Sequence, residues 1–460
     1  SFAMYQNKSI QSFFFIVFIC LIPSKILAQQ LDPTLKELIN KAVNKSHTVN
    51  IQNYNIEQSQ IDQKMAKAVF LPKLTFNANF TRLNDDLTFN DDTQNLLLST
   101  QKLLIKEALG IPFNSSFPDN IPLTDVPNLQ DKNILKSSVD LDWVLFSGFE
   151  ATNAIKASKH QEASFNYLGI AEKDKIALEI IETYDKLALV NTSKHVLNSS
   201  NKYLDEQENY IKNAIKNGLA TPISRKKIEL AQQQLASKEL EYNHNRTLLI
   251  EKLHQLTGES RENLGLLNPI LHSFSMDSLS STEKRNEIKA LEEAEKATQY
   301  KAKMEKSSFI PKLALKGHYE FIEDDLSLLD PKWYVAVGIK WNVFDGRQSW
   351  LKSKKSKLEG QKYREQIDDA NEMISLSITK AELSYESSLQ NIEINKKTVE
   401  LASDTYDMID KQFKNNLVSI SDVLDALNDL EKANFNLQES YYMQRRAVTD
   451  LLHAKGILNY

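Results

Sequence analysis

The chain repeats itself at a fixed offset of 198 positions. Trp143-Val-Leu-Phe146-Ser-Gly148 returns as Trp341-Asn-Val-Phe344-Asp-Gly346. Lys216-Asn-Gly-Leu219 returns as Lys414-Asn-Asn-Leu417, and Gly258 as Gly456. Landmarks so far apart keep one offset only if two units share the same element lengths. A duplicated unit usually leaves an apolar face that only its twin can cover.

Composition says what the units are made of. Gly and Pro number 11 each among 460 residues, well under average usage. No proline falls between Pro127 and Pro222, and none follows Pro331. Such spacing predicts very long helices. Mean hydropathy of −0.42 excludes a membrane protein of many apolar helices.

The start of the chain reads as a secretory signal. Lys8 precedes the apolar run Phe13 to Ile22, and Ala28 stands before Gln29-Gln30, so cleavage is expected after Ala28. The run is too short to cross about 30 Å of hydrocarbon. Ser1 to Ala3, ahead of Met4, read as a cloning remnant. Cys20 is the one cysteine, and Phe18-Ile19 before it do not resemble a lipoprotein box. The mature chain then has no disulfide, thiolate metal site or Cys nucleophile. Its net charge moves from −5 to −7 once Lys8 and Lys25 are lost. Without a basic excess, nucleic-acid binding is excluded.

Each unit reads as helix, strand, loop, strand, long helix, break, long helix. Helices over Leu31 to Val43, Ile51 to Phe70 and Glu283 to Phe309 are expected, with Pro72 and Pro311 as stops. After each proline the period changes to two. Leu74, Phe76, Ala78 and Phe80 alternate with polar residues, and so do Leu313, Leu315, Gly317, Tyr319 and Phe321. The returning strands carry Val139, Leu141, Trp143 and Leu145, then Trp333, Val335, Val337, Ile339, Trp341 and Val343. Four strands of about ten residues, apolar on one face, have the length of tilted transmembrane β-strands. Their other face carries Asp140, Asp142, Lys316, His318, Glu320 and Lys340, which suit a water-filled lumen. Aromatics near strand ends (Trp143, Tyr319, Trp333, Trp341) suit an interfacial girdle. A half-exposed soluble sheet has the same alternation.

The first hairpin is 41 residues longer than the second. The excess falls in residues 84–136, rich in Asp, Asn, Pro and Ser, with one short helix expected near Gln94 to Leu109. After the strands, Arg347 to Lys414 runs without proline. Its apolar positions (Ile367, Ala370, Ile374, Ile378, Ala381, Tyr385, Leu389, Ile392, Val399, Ala402, Tyr406, Ile409, Phe413) step by about 3.5, a coiled-coil seam interrupted at Lys396. Glu150 to Asn217 is its counterpart. Four strands cannot close a barrel, and open edges are forbidden in lipid. Three copies would supply twelve strands, continued by a ring of coiled coils.

With these elements in order, the chain resembles the TolC-type outer-membrane efflux proteins over nearly the whole mature sequence. The residues that carry the resemblance are the strand entries Leu71 to Leu74 and Ile310 to Leu313, and the Trp143–Gly148 and Trp341–Gly346 motifs. Asn217-Gly218-Leu219-Ala220 and Ser421-Asp422-Val423-Leu424-Asp425-Ala426 complete the set. The resemblance implies a mixed fold: long antiparallel α-helical hairpins plus four transmembrane β-strands per chain. A homotrimer with a 12-stranded barrel and a periplasmic α-helical tunnel follows from it. So do a periplasmic adaptor protein and an inner-membrane transporter as partners, and a passive export role in tripartite efflux or type I secretion.

Asp422 and Asp425 sit i and i+3 at the start of a helix, where acids also suit the dipole. The resemblance implies that they ring the periplasmic entrance. Phe413 and Val418 stand where the family's closing latch would carry Tyr and Arg. In the first unit Ser224 replaces the first acid, followed by Arg225-Lys226-Lys227, which read as partners for a neighbouring helix or as solvated. Gly218, Leu219, Asn416 and Leu417 mark the tunnel tips that would meet the adaptor. Phe76, Leu141, Tyr319 and Val337 would face lipid. The expected boundaries are 1–28 signal, 29–258 first repeat, 259–282 linker and 283–460 second repeat. Neither paired metal-ligand histidines nor a phosphate loop or nucleophile motif is present, so no cofactor and no catalysis are expected. The alternative is a periplasmic coiled-coil scaffold or adaptor with a small soluble sheet.

Overall fold

The computed structural model describes residues 32–272, 282–323 and 331–460. The expected signal segment and Cys20 lie outside them. The chain forms two compact units, one of residues up to Asn53, Tyr167–Lys289 and Asp368–Tyr460, the other of Tyr54–Asn166 and Ala290–Ile367.

Helix α1 (Pro33–Lys45) starts with Pro33 in its first turn, and Asp32 accepts the Thr34 N–H at 3.0 Å. Helix α2 (His47–Ala68) ends before Leu71-Pro72, and α7 (Asn286–Lys306) runs into a 3-10 turn (Ser307–Phe309) before Pro311. The prolines stop both, as expected, although α7 begins three residues later than Glu283. Helices α4 (Glu150–Lys216) and α8 (Gln348–Lys414) are each 67 residues, about 100 Å at 1.5 Å per residue. They turn back into α5 (Pro222–Thr257) and α9 (Ile420–Ala454). A short α6 (Arg261–Gly265) occupies part of the expected linker.

Left-handed backbone recurs at the repeat offset: Gly148 and Gly346, Phe149 and Arg347, Gly218 and Asn416, Gly258 and Gly456. Gly110, in the long hairpin, has no counterpart among the described residues. At the 218 and 416 turns the following leucine N–H reaches back five residues, Leu219 to the Ala214 carbonyl at 2.8 Å and Leu417 to the Gln412 carbonyl at 2.9 Å. These are Schellman closures, which need a left-handed residue at that point.

Within the first unit, Leu35, Leu38 and Ile39 of α1 bury against Ile180, Ile181 and Leu187 of α4 and Leu253 of α5. A second core joins Leu204 and Ile211 of α4, Ile228 and Leu235 of α5, Tyr406 of α8 and Val423, Leu427 and Leu430 of α9. Each such leucine or isoleucine contributes about 1.5–3 kcal/mol. The seam of α8 corrects the sequence reading at two steps. Leu389 is exposed while Ser388 is buried, and half-buried Asn395 takes the step where Lys396 was read as a break. From Ala381 to Phe413 the inward positions become 381, 385, 388, 392, 395, 399, 402, 406, 409 and 413. Alternating steps of four and three are a strict heptad. Two of its members are polar, which hid it from an apolar count.

The second unit holds one antiparallel sheet of β1 (Lys73–Arg82), β2 (Asn133–Phe146), β3 (Lys312–Glu323) and β4 (Trp333–Lys340), in that order. Strand β2 starts inside the segment read as loop, and Trp341 and Val343 lie beyond β4. The hairpin helix α3 spans Asp91–Ala108, close to expectation. Small residues let α7 approach both long helices: Ser164 of α4 donates to the Ala290 carbonyl at 2.8 Å, and Ser353 of α8 to that of Ala302 at 2.9 Å. A Cβ on Gly360 would stand 2.8 Å from the Thr298 hydroxyl.

Candidate functional site

In the sheet unit, register sorts the side chains into two faces. Phe76, Val139, Tyr319 and Trp333 line up across all four strands, and so do Leu74, Leu141, Gly317 and Val335. Leu315 pairs with both Trp143 and Val337. On this face Phe76 and Val337 are each 64 % exposed. The opposite face is polar. His318 lies between two carboxylates, its Nδ1 2.6 Å from Asp140 and its Nε2 3.3 Å from Glu320. Asn77 donates to Asp140 at 2.7 Å, and Lys136 lies 3.3 Å from Glu320. The edge strands β1 and β4 have no partner on their outer sides among the described strands. Trp143 and Trp341 each donate an indole N–H to a carbonyl two residues before a proline, that of Phe70 at 2.9 Å and that of Phe309 at 3.0 Å.

In the helical unit, the tips present Leu219 and Leu417 to solvent, 65 % and 73 % exposed. Asp422 and Asp425 are both exposed in the first turns of α9. Asp422 does more than the sequence suggested: its Oδ2 accepts both the Ser419 N–H and the Ser419 hydroxyl at 2.7 Å. That closes the acid half of a capping box. The hydroxyl and N–H of Ser419, then the charge of Lys227, hold its carboxyl below the usual carboxylate range. Asp425 makes no such bond and lines a groove of about 360 Å³ with Lys227, Leu230, Leu424 and Glu431.

The basic run after Ser224 divides. Arg225 and Lys226 pair with Glu229 on their own helix, while Lys227 reaches the Ser421 hydroxyl of α9. Lys238 pairs with the nearly buried Glu431, again from α5 to α9. Sequence reasoning missed the link between α4 and α8. Buried Gln207 donates to Tyr406 Oη at 3.2 Å and to Asp410 at 2.7 Å, and Lys414 holds Asp410 at 2.7 Å. Burial pushes the Tyr406 hydroxyl up to about 12. Phe413 packs edge-on against Tyr210, with ring centroids 5.6 Å apart. Nothing in the sequence separates Gln207 from the many other polar residues of α4.

Residues 280–456 match the family model of the outer membrane efflux protein. Solved outer membrane proteins share the fold over 92–93 % of the chain. VceC, an outer membrane protein of Vibrio cholerae, is 16 % identical with TM-score 0.72, over 92 % of this chain and 96 % of its own. The CmeC outer membrane channel of Campylobacter jejuni is 14 % identical with TM-score 0.67, over 93 % and 86 %. The open-state MtrE channel of Neisseria gonorrhoeae is 14 % identical with TM-score 0.63, over 93 % and 90 %. No curated protein matches. The chain thus shares the fold of solved outer membrane channels.

Proposed function

We propose that three copies of this chain close a 12-stranded barrel and act as a passive conduit from periplasm to exterior. The observation that carries this is the sheet: four antiparallel strands, an exposed apolar face, a charged opposite face, and two edges unpaired among the described strands. In hydrocarbon an unpaired edge costs several kcal/mol per group, so β1 of one copy pairs with β4 of the next. A soluble scaffold has no need of such a face.

The transported material is driven by partners. Exposed Leu219 and Leu417, on turns held by Gly218 and Asn416, present matching apolar points to a periplasmic adaptor, which links the channel to an inner-membrane transporter. Asp425, threefold repeated, forms a cation-attracting ring at the entrance. Asp422 adds charge to it and also holds the start of α9. In planar bilayers the purified trimer should conduct, and Asp425→Asn should lower its preference for cations. A protein that stays monomeric in detergent and forms no pore would overturn the reading.

A further inference from the structure

The long first hairpin is an ordered element with an unmatched surface. Asn90 caps α3 by accepting the Thr93 N–H at 2.9 Å, and Gln94 donates to the Phe89 carbonyl. Buried Lys106 fixes the turn after the helix by bonding the Phe113 and Ser115 carbonyls. The segment is tied at its base, where Leu87 and Gln130 exchange backbone bonds and Lys132 N–H donates to Asp86 at 2.7 Å. One side of α3, with Gln94, Leu98, Gln101 and Ile105, is half-buried.

The other side is also apolar. Leu96, Leu97, Leu103 and Leu104 are 42–65 % exposed, and the pairs 96/103 and 97/104 keep heptad spacing. A helix apolar on both sides belongs in a packed environment. Lipid is a poor occupant. Interfacial helices carry Lys and Arg beside their apolar face, yet Lys106 is buried and Lys102 stands over the Phe117 ring at 6.0 Å. Charges left beside the leucines are acids: Asp91, Asp92 and Glu107. The hairpin also springs from β1, an edge strand whose open side awaits the next copy.

We infer that the Leu96/Leu97/Leu103/Leu104 face of α3 packs against a second copy of this chain, fastening neighbouring subunits outside the barrel. This rests on the trimeric reading above. Full-length protein carrying Leu103→p-benzoyl-phenylalanine, irradiated in outer membranes, should give adducts of two chains, whereas the same residue at Asn95, off the stripe, should not. Adducts to lipid, or none within an intact trimer, overturn this inference while leaving the channel standing. Loss of the trimer from wild-type protein overturns both. Independently, Leu103→Asp with Leu104→Asp should lower the temperature at which the detergent-solubilised trimer dissociates, and an unchanged temperature counts against the contact.

Discussion

Gly218 and Asn416 adopt the same left-handed conformation, φ 69° and 60°, at equivalent points of the two repeats. No atom comes within 4 Å of a Cβ built on Gly218, so substitution there meets only backbone strain. Gly218→Ala should destabilise by roughly 1–2 kcal/mol, and Asn416→Gly should be neutral or slightly stabilising. Gly456 differs, because a Cβ there would stand 2.5 Å from the Glu283 carbonyl. Gly456→Ala should therefore be the most damaging of the three, as read by the thermal midpoint of the solubilised protein.

The two acids proposed to ring the entrance should separate experimentally. Asp422→Ala removes the acceptor of both Ser419 bonds, so it should lower the thermal midpoint as well as alter conductance. Asp425→Asn should change cation preference with the midpoint unmoved. Equal midpoints for the two variants would remove the capping role.

Charge on the apolar rows of the sheet, the proposed lipid face, should be poorly tolerated. Val337→Arg places a cation on that face, at about 2–4 kcal/mol if near the bilayer centre. Trimer yield in the membrane fraction should fall. Lys316→Gln, on the opposite face, should leave yield intact.

A buried pair sits deep in the helical unit. Arg445 Nε lies 3.0 Å from Asp185. Burial pushes the Asp185 carboxyl up and Arg445 pulls it down. Arg445→Leu strands the carboxylate, at about 3–5 kcal/mol near neutral pH. A carboxyl raised in the folded state loses its penalty once pH drops below its unfolded value. The defect should therefore shrink on acidification, and adding Asp185→Leu should restore most of the loss.

Acid should also loosen the turn after α5. Glu259 accepts from Lys41, then from Asn263 at 2.8 Å and the Ser260 N–H at 3.1 Å. These hold its carboxyl at about 2 rather than 4.5. A lowered carboxyl stabilises fully above its ordinary value, and that contribution fades as pH falls from 4.5 toward 2. Between those limits the thermal midpoint of wild type should drop more steeply than that of Glu259→Gln.

Local chemistry made most elements legible. Pro72 and Pro311 stop helices wherever they fall, period-two runs name strands, and glycines at a constant offset name turns. Long-range pairing was not legible. Ser388 and Asn395 point inward because neighbouring helices leave room for small or polar groups, and an apolar count passes over both. Asp422 was found by position, but its bond to Ser419 depends on the backbone angle before α9. Gln207 is one amide among many until α8 brings Tyr406 and Asp410 beside it.

The indoles of Trp143 and Trp341 have one more implication. The helices end here and the chain turns into strand, so no N–H of a following turn reaches the Phe70 and Phe309 carbonyls. Each indole takes that place, so each strand is locked lengthwise to the end of a helix. Sliding a strand by one residue would point its tryptophan to the opposite face and free the carbonyl. The pair thus works as a gauge, setting in both repeats the point at which apolar strand gives way to helix.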